Sequence, residues 1–254
     1  MTSYVNFLLF CPSCGARLAG KDAICETLGH SQLWSDRKAV NAISLAGECR
    51  VVRCPGCSHD FWISEAHKID QKHPDFKSKV KSLEGGLVYS WSSWKNFGCN
   101  LLTIRGMLSL VFHYDRLLKK WTNLSAENEK YLRMRLWWAC NDLIRNNLST
   151  RIWKVFHGEM SAGAWLRQWF FNRKAGRAFD KAAELFAENL RKLALLNSQS
   201  DEPDGLLQAE IFRQLGNFDK AKNLAKSFVC KSFHSEMLEY QIRKRNSRVF
   251  MIAG

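Results

Sequence analysis

The sequence predicts an α+β protein, a small N-terminal β module followed by a mainly α-helical region. Three observations carry that expectation. Two Cys-x-x-Cys pairs, Cys11 with Cys14 and Cys54 with Cys57, sit among short runs of β-branched and aromatic residues. From residue 125 onward, apolar residues recur at three- and four-residue spacing. A glycine-centred turn at Gly216-Asn217 then separates two helical stretches. With 254 residues, 46% of them hydrophobic, the chain can bury a real core, so a disordered tail is excluded. The expected division is a β module over 1–67, a mixed or helical connection over 68–124, and a helical domain over 125–254.

In the first part, residues 7–10 lead into Cys11, Arg50-Val51-Val52-Arg53 leads into Cys54, and Phe61-Trp62-Ile63 leaves the second pair. Short strands flanking each pair follow from that composition. Residues 23–45 show no helical period and predict a strand insertion or an ordered loop. After His67 the chain turns polar and lysine-rich through residue 81, and Gly85-Gly86 breaks it. Residues 101–118 mix apolar groups and charge without a decisive pattern.

Ser125 reads as an N-cap, with Glu127 in an acidic first turn, for a helix running to about residue 148. Its apolar stripe is Leu132, Leu136, Ala139/Cys140 and Leu143. Further helices are predicted over 162–173 and 179–196, the second with Ala182, Leu185, Phe186, Leu190, Leu193 and Leu196 on one face. Residues 198–205 read as a solvated turn, acidic Asp201, Glu202 and Asp204 included. The pair 206–215 and 218–228 closes around Gly216, and the basic stretch 243–248 frays or meets a partner.

The cysteines specify a metal site. Two residues between cysteines let one tight turn place both sulfurs on one edge of a tetrahedron, as zinc–sulfur bonds of about 2.3 Å require. Pro12 and Pro55 stiffen the turns, and Gly15 accepts the left-handed conformation that commonly follows the second cysteine, a position held by Ser58 in the other half. Two such turns close the shell, so the expected cofactor is a structural zinc held by Cys11, Cys14, Cys54 and Cys57. The interval 15–53 exceeds the usual spacing and implies an inserted element. Cys25 and Cys49 read as small buried residues and His30 and His59 as surface groups, rather than as a second site. Cys99, Cys140 and Cys230 read as core. No secretory leader is evident and no stretch is long and apolar enough to span a bilayer. A reducing, cytoplasmic setting without a membrane is the expectation.

In the helical region, Gly216-Asn217-Phe218-Asp219-Lys220-Ala221 has the turn chemistry of a tetratricopeptide repeat, with the small residue Ala209 seven positions before the glycine. A fainter echo runs from Gly176 to Ala182. The fold expectation is therefore α+β, a small N-terminal β zinc ribbon followed by a mainly α-helical, tetratricopeptide-like domain.

Four segments extend the pattern: Leu33-Trp34-Ser35-Asp36-Arg37-Lys38; Cys54–Cys57 with Phe61–Ala66; Tyr131-Leu132-Arg133-x-Arg135-x-Trp137-Trp138-Ala139; and Ala209-Glu210-x-x-Arg213-x-Leu215-Gly216-x-Phe218. Together they resemble a set of bacterial proteins of uncharacterised function that join a two-knuckle zinc ribbon to a tetratricopeptide-like helical part. Arg37 stands where that pattern has glycine. The resemblance implies the architecture and no reaction.

No Gly-rich phosphate loop, His-Glu-x-x-His helix or Gly-x-Ser-x-Gly elbow occurs, so a non-enzymatic role without a small-molecule substrate is expected. His67, Asp70 and His73 have ligand-like spacing but lie in an exposed, lysine-rich context. Net charge is +14, with the basic excess beyond residue 75. The first functional expectation is an adaptor or scaffold that binds a protein partner. The alternative is a nucleic-acid-binding subunit of a bacterial defence or CRISPR-type ribonucleoprotein. Either would use a basic, tryptophan-bearing surface of Arg133, Arg135, Trp138, Arg145, Arg151, Lys154, Arg167, Arg173, Lys174 and Arg177. Against it stands the reading that most tryptophans are core, with basic residues covering their rims.

Overall fold

The computed structural model describes residues 3–25, 32–40, 50–70, 89–90, 104–145, 162–227 and 232–253. Two compact units divide the chain. One comprises residues 1–32 and 39–99 with the terminal glycine; the other comprises 33–38 and 100–253.

The first unit carries a four-stranded sheet. Strand β1 (Ser3–Phe10) pairs antiparallel with β2 (Arg17–Cys25), and the first cysteine knuckle forms the turn between them. Strands β3 (Gln32–Trp34), β4 (Ala39–Val40), β5 (Val51–Arg53) and β6 (Asp60–Trp62) follow. The last two form an antiparallel hairpin whose turn is the second knuckle. Strand β7 (His67–Asp70) returns antiparallel to β1, and β8 (Tyr89–Ser90) joins β2 in parallel, for the order β7-β1-β2-β8. Leu9, Cys11, Leu18, Val52, Cys54 and Phe61 make one buried cluster in this unit. The unit thus extends past residue 67, because β7 completes the sheet of β1.

The second unit is helical. Helix α1 (Ile104–Lys120) buries Met107, Leu108, Val111, Tyr114 and Leu117 on one stripe, although its sequence predicted only a weak pattern. Helix α2 (Ala126–Arg145) starts at Ser125, whose hydroxyl accepts the Asn128 N–H at 3.2 Å. Its predicted stripe is buried at Leu132, Leu136, Ala139 and Cys140, and Trp137 is fully buried as well. Helix α3 (Ala162–Ser198) corrects the sequence reading. It runs without interruption through Gly176, so the two predicted helices are one and the faint repeat there contains no turn. A single glycine inside a long helix costs about 1 kcal/mol, which neighbouring turns readily offset.

Helices α4 (Gly205–Gln214) and α5 (Phe218–Lys226) form the predicted pair. Gly216, at φ +76°, closes α4: Asn217 N–H bonds Phe212 C=O at 2.8 Å and Gly216 N–H bonds Arg213 C=O at 3.0 Å. Asn217 then caps α5. Helix α6 (Phe233–Arg243), which the sequence did not reveal, packs on this pair through Leu238 and Ile242, against Ala209, Ala221 and Ala225. Strand β9 (Met251–Ala253) pairs antiparallel with Leu33 and Trp34.

The segment 33–38, which lies in sequence between the cysteine pairs, therefore belongs to the helical unit. It is a tight turn: Arg37 N–H bonds Trp34 C=O at 2.8 Å and Trp34 N–H bonds Lys38 C=O at 3.0 Å, with Arg37 left-handed at φ +64°. The glycine conformation is kept without the glycine.

Candidate metal centre

Each cysteine pair is built by the same local hydrogen bonds. Cys11 N–H bonds Ala16 C=O at 2.8 Å, and Gly15 N–H bonds Cys11 C=O at 2.9 Å. Cys54 N–H bonds His59 C=O, and Ser58 N–H bonds Cys54 C=O, both at 2.8 Å. Gly15 and Ser58 occupy equivalent places with φ of +70° and +59°. The two knuckles are thus conformational copies, and Ser58 holds the strained position that Gly15 holds without strain.

The copies face each other. Cys11 Sγ lies 3.7 Å from Cys57 Sγ, and Cys14 Sγ lies 3.6 Å from Cys54 Sγ. All four sulfurs fall within 4.8 Å of one another. Four thiolates at about 2.3 Å from one tetrahedral centre stand about 3.8 Å apart, so the arrangement fits a metal ion without rearrangement of the backbone. Cys11 and Cys54 are buried in the apolar cluster, whereas Cys14 and Cys57 are exposed. Burial pushes the Cys11 thiol up and the Cys54 thiol up to about 12. The backbone N–H of His59 instead brings Cys57 down to about 7. Backbone N–H groups of Ser13 and Cys14 point at Cys11 Sγ, and those of Gly56 and Cys57 at Cys54 Sγ, ready to stabilise the charged form once a cation replaces the protons. The chemistry of such a site is structural, because four sulfurs leave no coordination position open.

The basic surface expected from the sequence divides. Arg133 is corrected: it is 9% exposed, with Nε 2.7 Å from Glu129 Oε1 and its guanidinium also reaching Asn189 Oδ1. It joins α2 to α3. Arg135 is half-buried, donates to Tyr131 Oη at 3.1 Å and lies 5.5 Å from the Trp138 ring. The Trp138 indole N–H bonds the Asp36 carbonyl at 2.9 Å. Arg167, Arg173, Lys174 and Arg177 lie on α3 and Arg145 ends α2, but their side chains, like all of Arg151 and Lys154, lie outside the described residues. So do His30, Cys49, His73, Cys99 and Cys230, and the side chain of Cys25. Cys140 is buried, its thiol raised to about 12 by that burial.

A second cluster, within the helical unit, was not foreseen. Ser35 and Asp36 are 1% and 0% exposed. Ser35 donates to Glu210 Oε1 at 2.7 Å, and Asp36 Oδ2 accepts from Asn141 Nδ2 at 2.7 Å. Glu210 is held in turn by Arg213, at 2.7 and 2.8 Å, and by Gln214 at 2.6 Å. Gln214 accepts the Trp137 indole N–H at 2.9 Å. Arg37 pairs with Asp204, which also caps α4, and Lys38 pairs with Asp142. Three of the four quoted sequence segments therefore meet in space, around the turn 33–38. The one sequence signal for this cluster was the charge of Glu210 between Ala209 and Ile211-Phe212; Ser35, Asp36, Asn141 and Gln214 gave none.

Among the described residues no helix is long and apolar enough to cross a membrane. Neither a protein-family model, nor a curated protein, nor a solved structure matches the chain. The resemblance to bacterial ribbon proteins accordingly rests on the quoted residues alone.

Proposed function

We propose that the protein is a non-enzymatic adaptor, in which a structural zinc ion bound by Cys11, Cys14, Cys54 and Cys57 stabilises the ribbon and the tetratricopeptide-like helices hold a polypeptide. The observation that carries this reading is an open cleft of about 490 Å³ beside α4 and α5. Phe212 and Leu224 line it together with Asn223, Gln208 and Lys220. Its size suits a side-chain anchor of a partner segment. The apolar pair favours an aliphatic or aromatic anchor. The Asn223 amide, which both donates and accepts, suits the N–H and C=O groups of an extended backbone.

Leu224→Glu would place a charge in the cleft. Pull-down from the native host with the wild-type chain should recover a protein that this variant loses, and nuclease treatment should not change the result. A capture that the variant retains would refute the cleft as the binding surface. The zinc has its own check: Cys54→Ser should abolish stoichiometric metal by elemental analysis and unfold the ribbon, since metal binding and folding are coupled there.

The net charge of +14 favours one other reading, a nucleic-acid-binding subunit of a bacterial defence or CRISPR-type ribonucleoprotein. Titration of random single- and double-stranded oligonucleotides across a salt series separates the two. Micromolar binding that falls steeply with salt would support the second reading; no binding near physiological salt would exclude it.

A further inference from the structure

Ser35 is the hub of the turn 33–38, and all of its polar groups are engaged. Its N–H bonds Phe250 C=O at 2.8 Å, and its hydroxyl donates to Glu210 Oε1 at 2.7 Å while accepting the Phe250 N–H at 3.2 Å. Its carbonyl accepts from the His234 ring. Helices α4 and α6 and the chain that follows α6 are thus joined through one serine that is 1% exposed. Of these bonds, the one from His234 is made by a group whose charge ordinarily changes near neutral pH.

Three features of the geometry oppose a second proton on that ring. His234 Nε2 is buried without a hydrogen-bond partner, so Nδ1 is the nitrogen that donates to Ser35. A proton on Nε2 would be a donor with no acceptor. The ring also sits in the first turn of α6, which Ser232 caps, where the helix dipole presents its positive end. The charged groups that face it are Glu210 of α4, Asp204 at the α4 cap and Arg37 of the turn. Each is already matched: the Glu210 oxygens accept from Ser35, Arg213 and Gln214, and Arg37 pairs with Asp204. An imidazolium would add a positive charge with no counter-charge left for it. To hydrate Nε2–H the ring must turn outward, and that movement takes Nδ1 away from Ser35. We propose that His234 is a proton-operated latch, which as neutral imidazole fastens α6 to the turn 33–38 and as imidazolium lets the turn go.

Burial holds the imidazole below its ordinary value, against the opposing pull of Glu210. As pH falls below about 6.5, the unfolded chain takes up the proton before the folded chain does, so stability is lost in that range. The test compares the full-length chain with His234→Asn at about pH 7.5 and about pH 5.5. The Asn amide can take the place of Nδ1 and donate to Ser35, but it binds no proton. Glu210, Asp204 and the cysteines are present in both proteins, so the difference between the two belongs to His234. On acidification the wild-type urea midpoint, followed by circular dichroism, should fall by about 0.3 M more than that of the variant. Hydrogen exchange, corrected for its intrinsic pH dependence, places the effect. Protection of the Ser35 and Arg37 amides, bonded to Phe250 and Trp34, should drop about threefold or more in the wild type and hold in the variant.

Equal falls in the two proteins, or a wild type that gains stability over the variant on acidification, would overturn the proposal. Unchanged protection at Ser35 and Arg37 would overturn it too. Should His234→Asn not fold, the assigned imidazole resonances of the wild type decide. Titration below about 6.5 in step with loss of protection in the turn supports the latch, and titration at or above that value refutes it.

Discussion

Left-handed backbone occurs at five described positions, and only Gly15 and Gly216 among them are glycine; Arg37, Ser58 and Arg245 are the others. Arg245 follows α6 as Gly216 follows α4, with Asn246 N–H bonded to Gln241 C=O at 3.0 Å. This is why the sequence signalled the end of α4 and hid the end of α6: the bond pattern is the same, but the residue that advertises it is absent. The two knuckles allow a matched experiment. At Gly15 a Cβ would meet nothing within 4 Å, so the cost of Gly15→Ala is purely the left-handed strain, about 1 kcal/mol. Ser58→Gly removes the same strain and should stabilise the ribbon by about 0.5 kcal/mol after the greater chain entropy of glycine is counted. Chemical denaturation of the metal-loaded protein should show shifts of opposite sign. Equal signs would mean that the knuckles are not conformational copies.

At the scale of elements, α4 is the helix on which the helical unit turns. Leu207 and Ile211 pack on Trp137, Leu190 and Leu193 of α2 and α3. Ala209 lets α5 and α6 approach closely. Glu210, Arg213 and Gln214 fill the remaining side with charge and amide. Glu210 and Arg213 are 1% and 0% exposed, so neither side chain can turn to water if its partner is lost. Glu210→Ala would leave the buried Arg213 guanidinium without its carboxylate, with the Asn246 carbonyl as its remaining acceptor, and also take the acceptor from Ser35 and Gln214. Loss of about 3–5 kcal/mol is expected, measured by urea unfolding of the helical unit. Glu210→Gln, which keeps an acceptor for Ser35, should cost less. Burial also holds the His234 imidazole below its usual pKa, against the opposing pull of Glu210.

For the molecule as a whole, the chain enters the helical unit twice, once through six residues that interrupt the ribbon and again from residue 100 onward. Replacing residues 33–38 by a Gly/Ser segment of equal length with glycine at 35 and 36 would remove the donor to Glu210, the side-chain acceptor for Asn141, and both ion pairs. Each stranded polar group costs about 1–3 kcal/mol. The helical unit should therefore melt at a markedly lower temperature by circular dichroism, while metal content, which depends on Cys11, Cys14, Cys54 and Cys57, stays close to one per chain. Full metal content with an unchanged melt would show that the turn adds nothing to the helices.

What the sequence determined by itself was whatever depends on neighbours a few residues apart. The knuckles follow from two-residue spacing with Pro and Gly, the α2 and α4–α5 helices from their stripes, and their starts from Ser125 and Asn217, all of which act within one turn of backbone. The tertiary structure decided everything that needs a partner far along the chain. Ser35 meets Glu210 across 175 positions and Asp36 meets Asn141 across 105. It also buried Arg133, which the interleaving of basic and aromatic residues assigns to a surface, and joined two predicted helices into α3. Buried polar pairs leave no periodic trace, because their stability comes from mutual satisfaction in a dry interior rather than from any propensity of either residue.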